Sequence, residues 1–379
     1  MRFIVLILIY CTPVFAQVDF PENLSTKSEI MNYLTVKMEE GILDPIELSL
    51  YYQQLQKWQL TDIERLILSS FENQFSSPKS IIPIKKIPLL DMSLEDAHKL
   101  ISVEEFVESN SYILSKSSTQ KLKQARLQLE SIDKAQGLTQ GQVRDLVLDD
   151  RSIIDYRNGE YQDSIRLFLF CRRDRSYPCR FLMKDQFGEF VKDGDRLWSL
   201  PALAKSKRGF RFNKTNGNTP TGIHTIDSVM PMANRELVFG KFRRMILNWI
   251  PKENGYDETM ELMPSSHRSL KWWQEASIAR DIGRKYLRIH GTGRVNDNSS
   301  LNYYPHMPTA GCISTKEGRY GGVNYRDQRR ILDKIMETMH LGPVYQNEIH
   351  IKGVLFVLNL DDRKSAVSID DLNFLTPFL

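Results

Sequence analysis

The chain of 379 residues is 41% hydrophobic and 26% charged, with 20 glycines and 16 prolines, a composition that excludes wholesale disorder and fibrous repeats. Its 51 basic and 47 acidic residues leave a formal charge of +4 without a clustered basic stripe, which argues against a nucleic-acid partner. The length predicts two domains, or one domain with a large extension.

Residues 1–16 read as a signal peptide. Arg2 gives a positive start, Phe3 to Tyr10 form an apolar run, and Val14-Phe15-Ala16 supplies the cleavage pattern before Gln17. The run is too short to span a bilayer as a mature helix. Export to the periplasm or another extracytoplasmic space is therefore expected, with an uncleaved anchor as the alternative. Cys11 fits lipoprotein processing poorly, because the bulky Tyr10 precedes it.

Residues 17–150 read as a helical domain of unknown role. Asp44-Pro45-Ile46-Glu47, Thr61-Asp62-Ile63-Glu64 and Ser102-Val103-Glu104-Glu105 carry helix-start spacing, and Gly41 stops the helix before Asp44. Ile63, Leu66, Ile67 and Phe71 keep helical spacing, as do Leu122, Ala125 and Leu129. Ser76 to Asp91, with Pro78, Pro83 and Pro88, is expected to be extended.

After Asp150 the texture turns to β. Ser164 to Phe170, Phe181 to Lys184, Lys285 to His290 and Ile349 to Leu360 read as strands. A helix from Tyr325 to His340 is expected, capped by Asn324 and ended by Gly342. Residues 232–284, including Trp272 and Trp273, read as an insertion without a recognisable element. The two tryptophans suit a glycan groove and a core equally. Residues 363–379 read as a tail. The fold class is α+β, a helical N-terminal region followed by a mainly β domain over 151–362.

Without the leader three cysteines remain. Cys171 and Cys179 flank the polar stretch Arg172 to Pro178 between two apolar runs, a setting in which they can face each other across a hairpin and pair in an oxidising compartment. That would leave Cys312 as an odd, reactive thiol. The competing reading has all three reduced and buried.

Two segments carry chemistry: Ile289-His290-Gly291-Thr292-Gly293, and Pro308-Thr309-Ala310-Gly311-Cys312-Ile313-Ser314. The first presents His290 where a strand meets a glycine turn; the second places Cys312 after a glycine that lets the backbone turn sharply. An imidazole within reach of a thiol generates the attacking thiolate, and backbone amides at Gly311 and Cys312 suit an oxyanion. His98, His267, His340 and His350 lack metal-ligand spacing.

These segments, with Gly217-Asn218-Thr219-Pro220-Thr221-Gly222-Ile223-His224-Thr225-Ile226 upstream, resemble the L,D-transpeptidase (YkuD-type) catalytic domain. The resemblance covers about residues 160–362. It implies Cys312 as nucleophile, His290 as general base, Gly291 as the carbonyl that orients it, and Thr309 and Gly311 as residues that position the turn and the oxyanion hole. Ala310 stands where the family most often has histidine, and Ser314 where it has arginine or asparagine. His306, Tyr303, Tyr304 and Ser314 are candidate substrate contacts, with His306 more readily a loop residue than a reacting one. His224 replaces a usual aromatic and suggests packing or substrate contact.

The resemblance further implies a peptidoglycan stem tetrapeptide as donor, loss of terminal D-alanine, and an amine acceptor. The acceptor is a second stem, a D-amino acid or an outer-membrane lipoprotein, and neither cofactor nor metal is required. An L,D-carboxypeptidase using water is the closest alternative, and an inactive peptidoglycan-binding scaffold the next. A sortase-like enzyme fits less well, because Cys312 lacks a Leu-x-Thr-Cys setting.

Overall fold

Capping chemistry starts the N-terminal helices, α1 (Lys27–Glu39), α2 (Pro45–Leu55), α3 (Asp62–Asn73), α4 (Leu94–Ser102), α5 (Lys116–Lys134) and α6 (Gln140–Leu148), in the computed structural model of the chain. The structure describes residues 24–39, 42–73, 88–89, 92–103, 113–149, 160–161, 164–250 and 257–378. The expected leader and most of the proline-rich stretch lie outside the described residues. Thr61 and Glu64 close a reciprocal cap, the Glu64 amide donating to Thr61 Oγ1 at 3.2 Å and the Thr61 amide to Glu64 Oε2 at 2.8 Å.

Ser102 is the last residue of α4, its Oγ donating back to the Lys99 carbonyl at 2.6 Å, and the helix expected to start there lies outside the described residues. The box that begins α4 is Ser93 with Asp96. Ile30, Leu34, Leu48, Leu66, Phe71, Leu100 and Leu122 form the helical core.

Helix α6 belongs to the second layer rather than to this core. Its Val143, Leu146 and Val147 pack with Phe168, Phe170 and Phe356 on one face of the main sheet. Farther back, Leu129 and Ile132 of α5 pack on Phe212 and Ile278. The helical region is therefore joined to the sheet through buried apolar contacts.

The main strands are β3 (Ile165–Cys171), β4 (Cys179–Lys184), β7 (Leu200–Ala202), β8 (Gly222–Val229), β9 (Met245–Trp249), β10 (Arg288–His290), β11 (Ile313–Ser314) and β14 (Gly353–Asn359). Short pairs make up the rest: β1 (Pro88–Leu89) with β2 (Ile113–Leu114), β5 (Lys192–Asp193) with β6 (Arg196–Leu197), and β12 (Glu317–Tyr320) with β13 (Val323–Arg326). The eight-stranded order is β11-β10-β9-β8-β14-β3-β4-β7, with β10–β11 and β14–β3 parallel and the remaining pairs antiparallel.

The two edges meet. Leu203, just past β7, exchanges both backbone hydrogen bonds with Ser314 of β11 at 2.8 Å, and the Thr309 amide donates to the Lys205 carbonyl at 3.1 Å. The sheet thus closes on itself, and neither edge is left exposed there. Period-two alternation divides its two faces. Ile165, Leu167, Leu169, Leu355 and Val357 share one cluster with Ile331, Leu332 and Ile335 of the helix Asp327–Thr338, while Phe168, Phe170 and Phe356 face the other way.

Three expectations are corrected. Residues 232–284 are not a bare insertion, because β9 is a central strand and a helix follows at Gln274–Asp281. Asn324 does not cap a helix: Gly321 and Gly322, both at positive φ, turn β12 into β13, and the helix starts only after Arg326. The C-terminal tail is anchored, with Leu372 and Leu375 fully buried and Arg172 held by Asp361 and Asp371. Cys171 and Cys179 form a disulfide across β3 and β4.

Candidate active site

Strands β10 and β11 run side by side with Ile289 opposite Ile313 and His290 opposite Ser314. Both isoleucines enter the buried cluster on one face, so alternation sends His290 and the residues one step back, Arg288 and Cys312, to the other. There His290 and Cys312 line one cavity of about 770 Å³. Cys312 is the one free cysteine among the described residues, and it is 8% exposed.

The turn before the thiol is fixed by its neighbours. Gly311 sits at φ +99°, and a Cβ there would lie 2.5 Å from both the Gly217 carbonyl and Arg284 Nη2. Only glycine fits. Thr219 Oγ1 donates to the Gly311 carbonyl at 2.9 Å, and Thr309 Oγ1 donates to the Cys312 carbonyl at 2.6 Å. Arg284 donates to the carbonyls of Phe212, Gly217 and Asn218 at 2.6–3.0 Å. The upstream threonine segment and the cysteine turn are therefore tied together directly.

His290 Nδ1 is hydrogen-bonded to the Gly291 carbonyl. With Nδ1–H as donor, Nε2 is the acceptor, the tautomer a general base requires. Gly291 also has no room for a side chain, since a Cβ would meet Glu317 Oε1 at 1.9 Å. Glu317 in turn accepts the Lys241 amide at 2.8 Å, and burial pushes its carboxyl up to about 6. The Phe239 ring meets His290 edge-on at 5.0 Å.

Burial pushes the His290 imidazole down to about 4; the Gly291 hydrogen bond opposes this, while Arg288 and Arg244 add to it. Burial raises the Cys312 thiol, opposed by Arg288, Arg284 and Arg244. Both groups are therefore neutral at rest near pH 7. The thiol donates to the Tyr286 carbonyl at 3.7 Å, and no hydrogen bond joins it to the imidazole. Tyr286 sits at φ +62°, and its hydroxyl donates to Glu29 Oε1 of α1 at 3.3 Å. From the same helix, Asn32 and Val36 line the cavity.

The other candidates separate. Tyr303, Thr309 and Ala310 line the cavity; Tyr304, His306 and Ser314 do not. Tyr304 packs edge-on against Tyr320 at 6.1 Å. His306 is 2% exposed and pushed down to about 3 by burial, with Lys316 adding. Ser314 is fully buried and donates to the Met307 carbonyl at 2.6 Å. His306 and Ser314 are therefore buried away from the cavity, while Tyr304 is half-buried outside its lining. His224 is fully buried against Trp249, Trp273 is a core residue, and Trp272 packs in the same core while also lining a separate cavity with Arg173, Arg211 and Glu275.

Sequence reasoning missed the cations. Arg244 and Phe239 come from the stretch left unassigned, and Arg288 from a strand valued only for His290. Alternation in Met245-Ile246-Leu247-Asn248-Trp249 marks β9, which carries Arg244 at its start. No family model, curated protein or solved structure matches the chain.

Proposed function

We propose that the protein is a peptidoglycan L,D-transpeptidase that acts outside the cytoplasm after export. One observation carries the reading: the one free cysteine among the described residues and a histidine with its Nδ1 bound to a backbone carbonyl share one cavity on adjacent strands. In that arrangement His290 Nε2 is the proton acceptor for a thiol that swings from the Tyr286 carbonyl. Apo geometry of this kind commonly tightens only when substrate binds.

The chemistry follows from the neutral pair. As Sγ attacks the carbonyl at the L-centre of the third stem residue, His290 takes the thiol proton and the amides of Gly311 and Cys312 face the oxyanion. His290 then protonates the departing D-alanine amine, and the C–N bond breaks to leave a thioester. An incoming amine releases it with His290 again accepting a proton, and water gives trimmed tripeptide instead. Arg288, Arg284 and Arg244 favour the thiolate as it forms.

The thiol's bond to Tyr286 and the Ala310 replacement favour a second reading, a catalytically silent wall-binding protein. Intact-mass analysis with stem tetrapeptides, or with a carbapenem, separates the two. A thioester adduct on the wild type that is absent from Cys312→Ala is expected; D-alanine release by the alanine variant would end the transpeptidase reading. Adding an amine acceptor distinguishes transfer from hydrolysis through the products.

A further inference from the structure

The cavity beside Cys312 is lined by six lysines and arginines and by no aspartate or glutamate among the described residues. Three guanidinium groups surround one ring: Arg244 stands 4.2 Å from the Phe239 centroid, and Arg235 and Arg288 each stand 5.7 Å from it. A shared aromatic face orients their planes. Arg244 is 3% exposed, donates to Asn234 Oδ1 at 2.6 Å, and keeps its Nε buried without a hydrogen-bond partner. Arg288 donates through Nη1 to the Tyr286 carbonyl at 3.1 Å, and its Nε is likewise buried and unpartnered. No ion pair joins either arginine to a carboxylate among the described residues.

A buried cation without an anion is costly to keep. Like charges gathered around one ring add to that cost, and nothing in the packing requires them. Such a cluster is explained by an anion that arrives with a ligand. Arg288 stands one step from the Ile289–Ile313 pair, beside Cys312, so the anion would lie next to the bond that the thiol attacks. The forked donors of arginine match a carboxylate in particular.

We propose that Arg288, in the cavity wall and backed by Arg244 across the Phe239 ring, forms the subsite for the free α-carboxylate of the residue displaced by Cys312, restricting acyl transfer to the last peptide bond of the donor. The inference rests on the acyl-transfer reading above. It adds a determinant in this chain's own strands, since Ser314 is buried away from the cavity and the position two after the cysteine contributes no cation. The carboxylate takes no part in bond making. As Sγ–C forms and C–N breaks, it leaves with the amine that His290 has protonated, and the arginines hold it in register.

The test compares a stem tetrapeptide with its C-terminal amide on the full chain, following kcat/KM and the acyl-enzyme by intact mass. The wild type is expected to prefer the free acid by about 100-fold, the scale seen when a buried charged group loses its partner. Arg288→Gln is expected to slow both donors through the lost support of the thiolate, and to cut the free-acid rate at least about tenfold more than the amide rate, collapsing the preference. Arg244→Gln, behind the cavity wall, should move the preference in the same direction by less; Arg288 is partly exposed, so its variant carries the test if the buried one does not fold.

Equal use of both donors by the wild type would overturn the subsite and leave the transpeptidase reading standing. Use of neither donor would remove both. Equal loss of both rates in the variants, with slower iodoacetamide alkylation of Cys312, would assign the arginines to the thiolate and reject the subsite.

Discussion

Two buried arginine clusters in this molecule solve opposite problems. Arg172, fully buried at one end of β3, donates to both oxygens of Asp361 at 2.8 and 2.9 Å, to Asp371 at 2.6 Å and to the Ser365 carbonyl at 3.1 Å. Arg244, nearly as buried, has an asparagine oxygen and an aromatic face. The first cluster is closed and ties the C-terminal segment to the sheet. The second is open, and its missing partner is what a ligand can supply.

The largest expected difference comes from truncating each. Arg172→Ala leaves Asp361 and Asp371 with Arg363 alone and removes the buried link to the sheet, and should cost about 3 kcal/mol in chemical denaturation. Arg244→Gln removes a charge that has no anion, so its stability should fall by less than about 1 kcal/mol or rise. Equal losses in the two variants would dissolve the distinction. Replacing both Cys171 and Cys179 by serine, next to the closed cluster, should remove about 2–3 kcal/mol, the value for a short closed loop.

Much of the fold was legible because local chemistry and tertiary packing agree. The Thr61–Glu64 cap, the apolar runs of β3 and β4, and the helical spacing around Phe71 all recur in the structure. Where they disagree, sequence misled. Asn324 precedes a helical pattern but is drawn into a hairpin by two consecutive glycines. Of the candidate site, His290, Gly291, Thr309, Gly311 and Cys312 lie within two short segments that the structure brings side by side. The cation cluster was not legible, because Arg244, Phe239 and Arg288 meet only when β9 inserts between β8 and β10. Burial likewise decided Ser314 and His306, and no local spacing reports it.

The pH response extends the comparison to neutral groups. His224 and His290 are pushed down to about 4 and His306 to about 3, chiefly by burial. An unfolded histidine titrates near 6.5, so between that value and the folded ones the unfolded chain binds more protons. Stability from these groups is therefore complete above about 6.5 and lost as pH falls toward 4. Glu317, raised to about 6, has the opposite sign and weakens folding as pH rises from about 4 to 6. Three histidines outweigh one carboxyl, so acidification from pH 7 to 4 should destabilise by roughly a few kcal/mol. His306→Gln should flatten that slope without altering the alkylation rate of Cys312; a slope unchanged in this variant would show that the ring is not held neutral.

The smallest effect concerns the link between the helical region and the thiol. Tyr286 holds the Cys312 proton with its carbonyl and reaches Glu29 of α1 with its hydroxyl. If the backbone alone sets the turn, Tyr286→Phe should change stability by less than about 0.5 kcal/mol, because one long hydrogen bond at the surface contributes little. Alkylation of Cys312 should then change less than about twofold, since the carbonyl and the residue's φ of +62° are kept. A several-fold faster alkylation would instead make α1 a restraint on the thiol. The open cluster and the helical region would then act on the same sulfur, one by charge and the other by holding its proton away from His290.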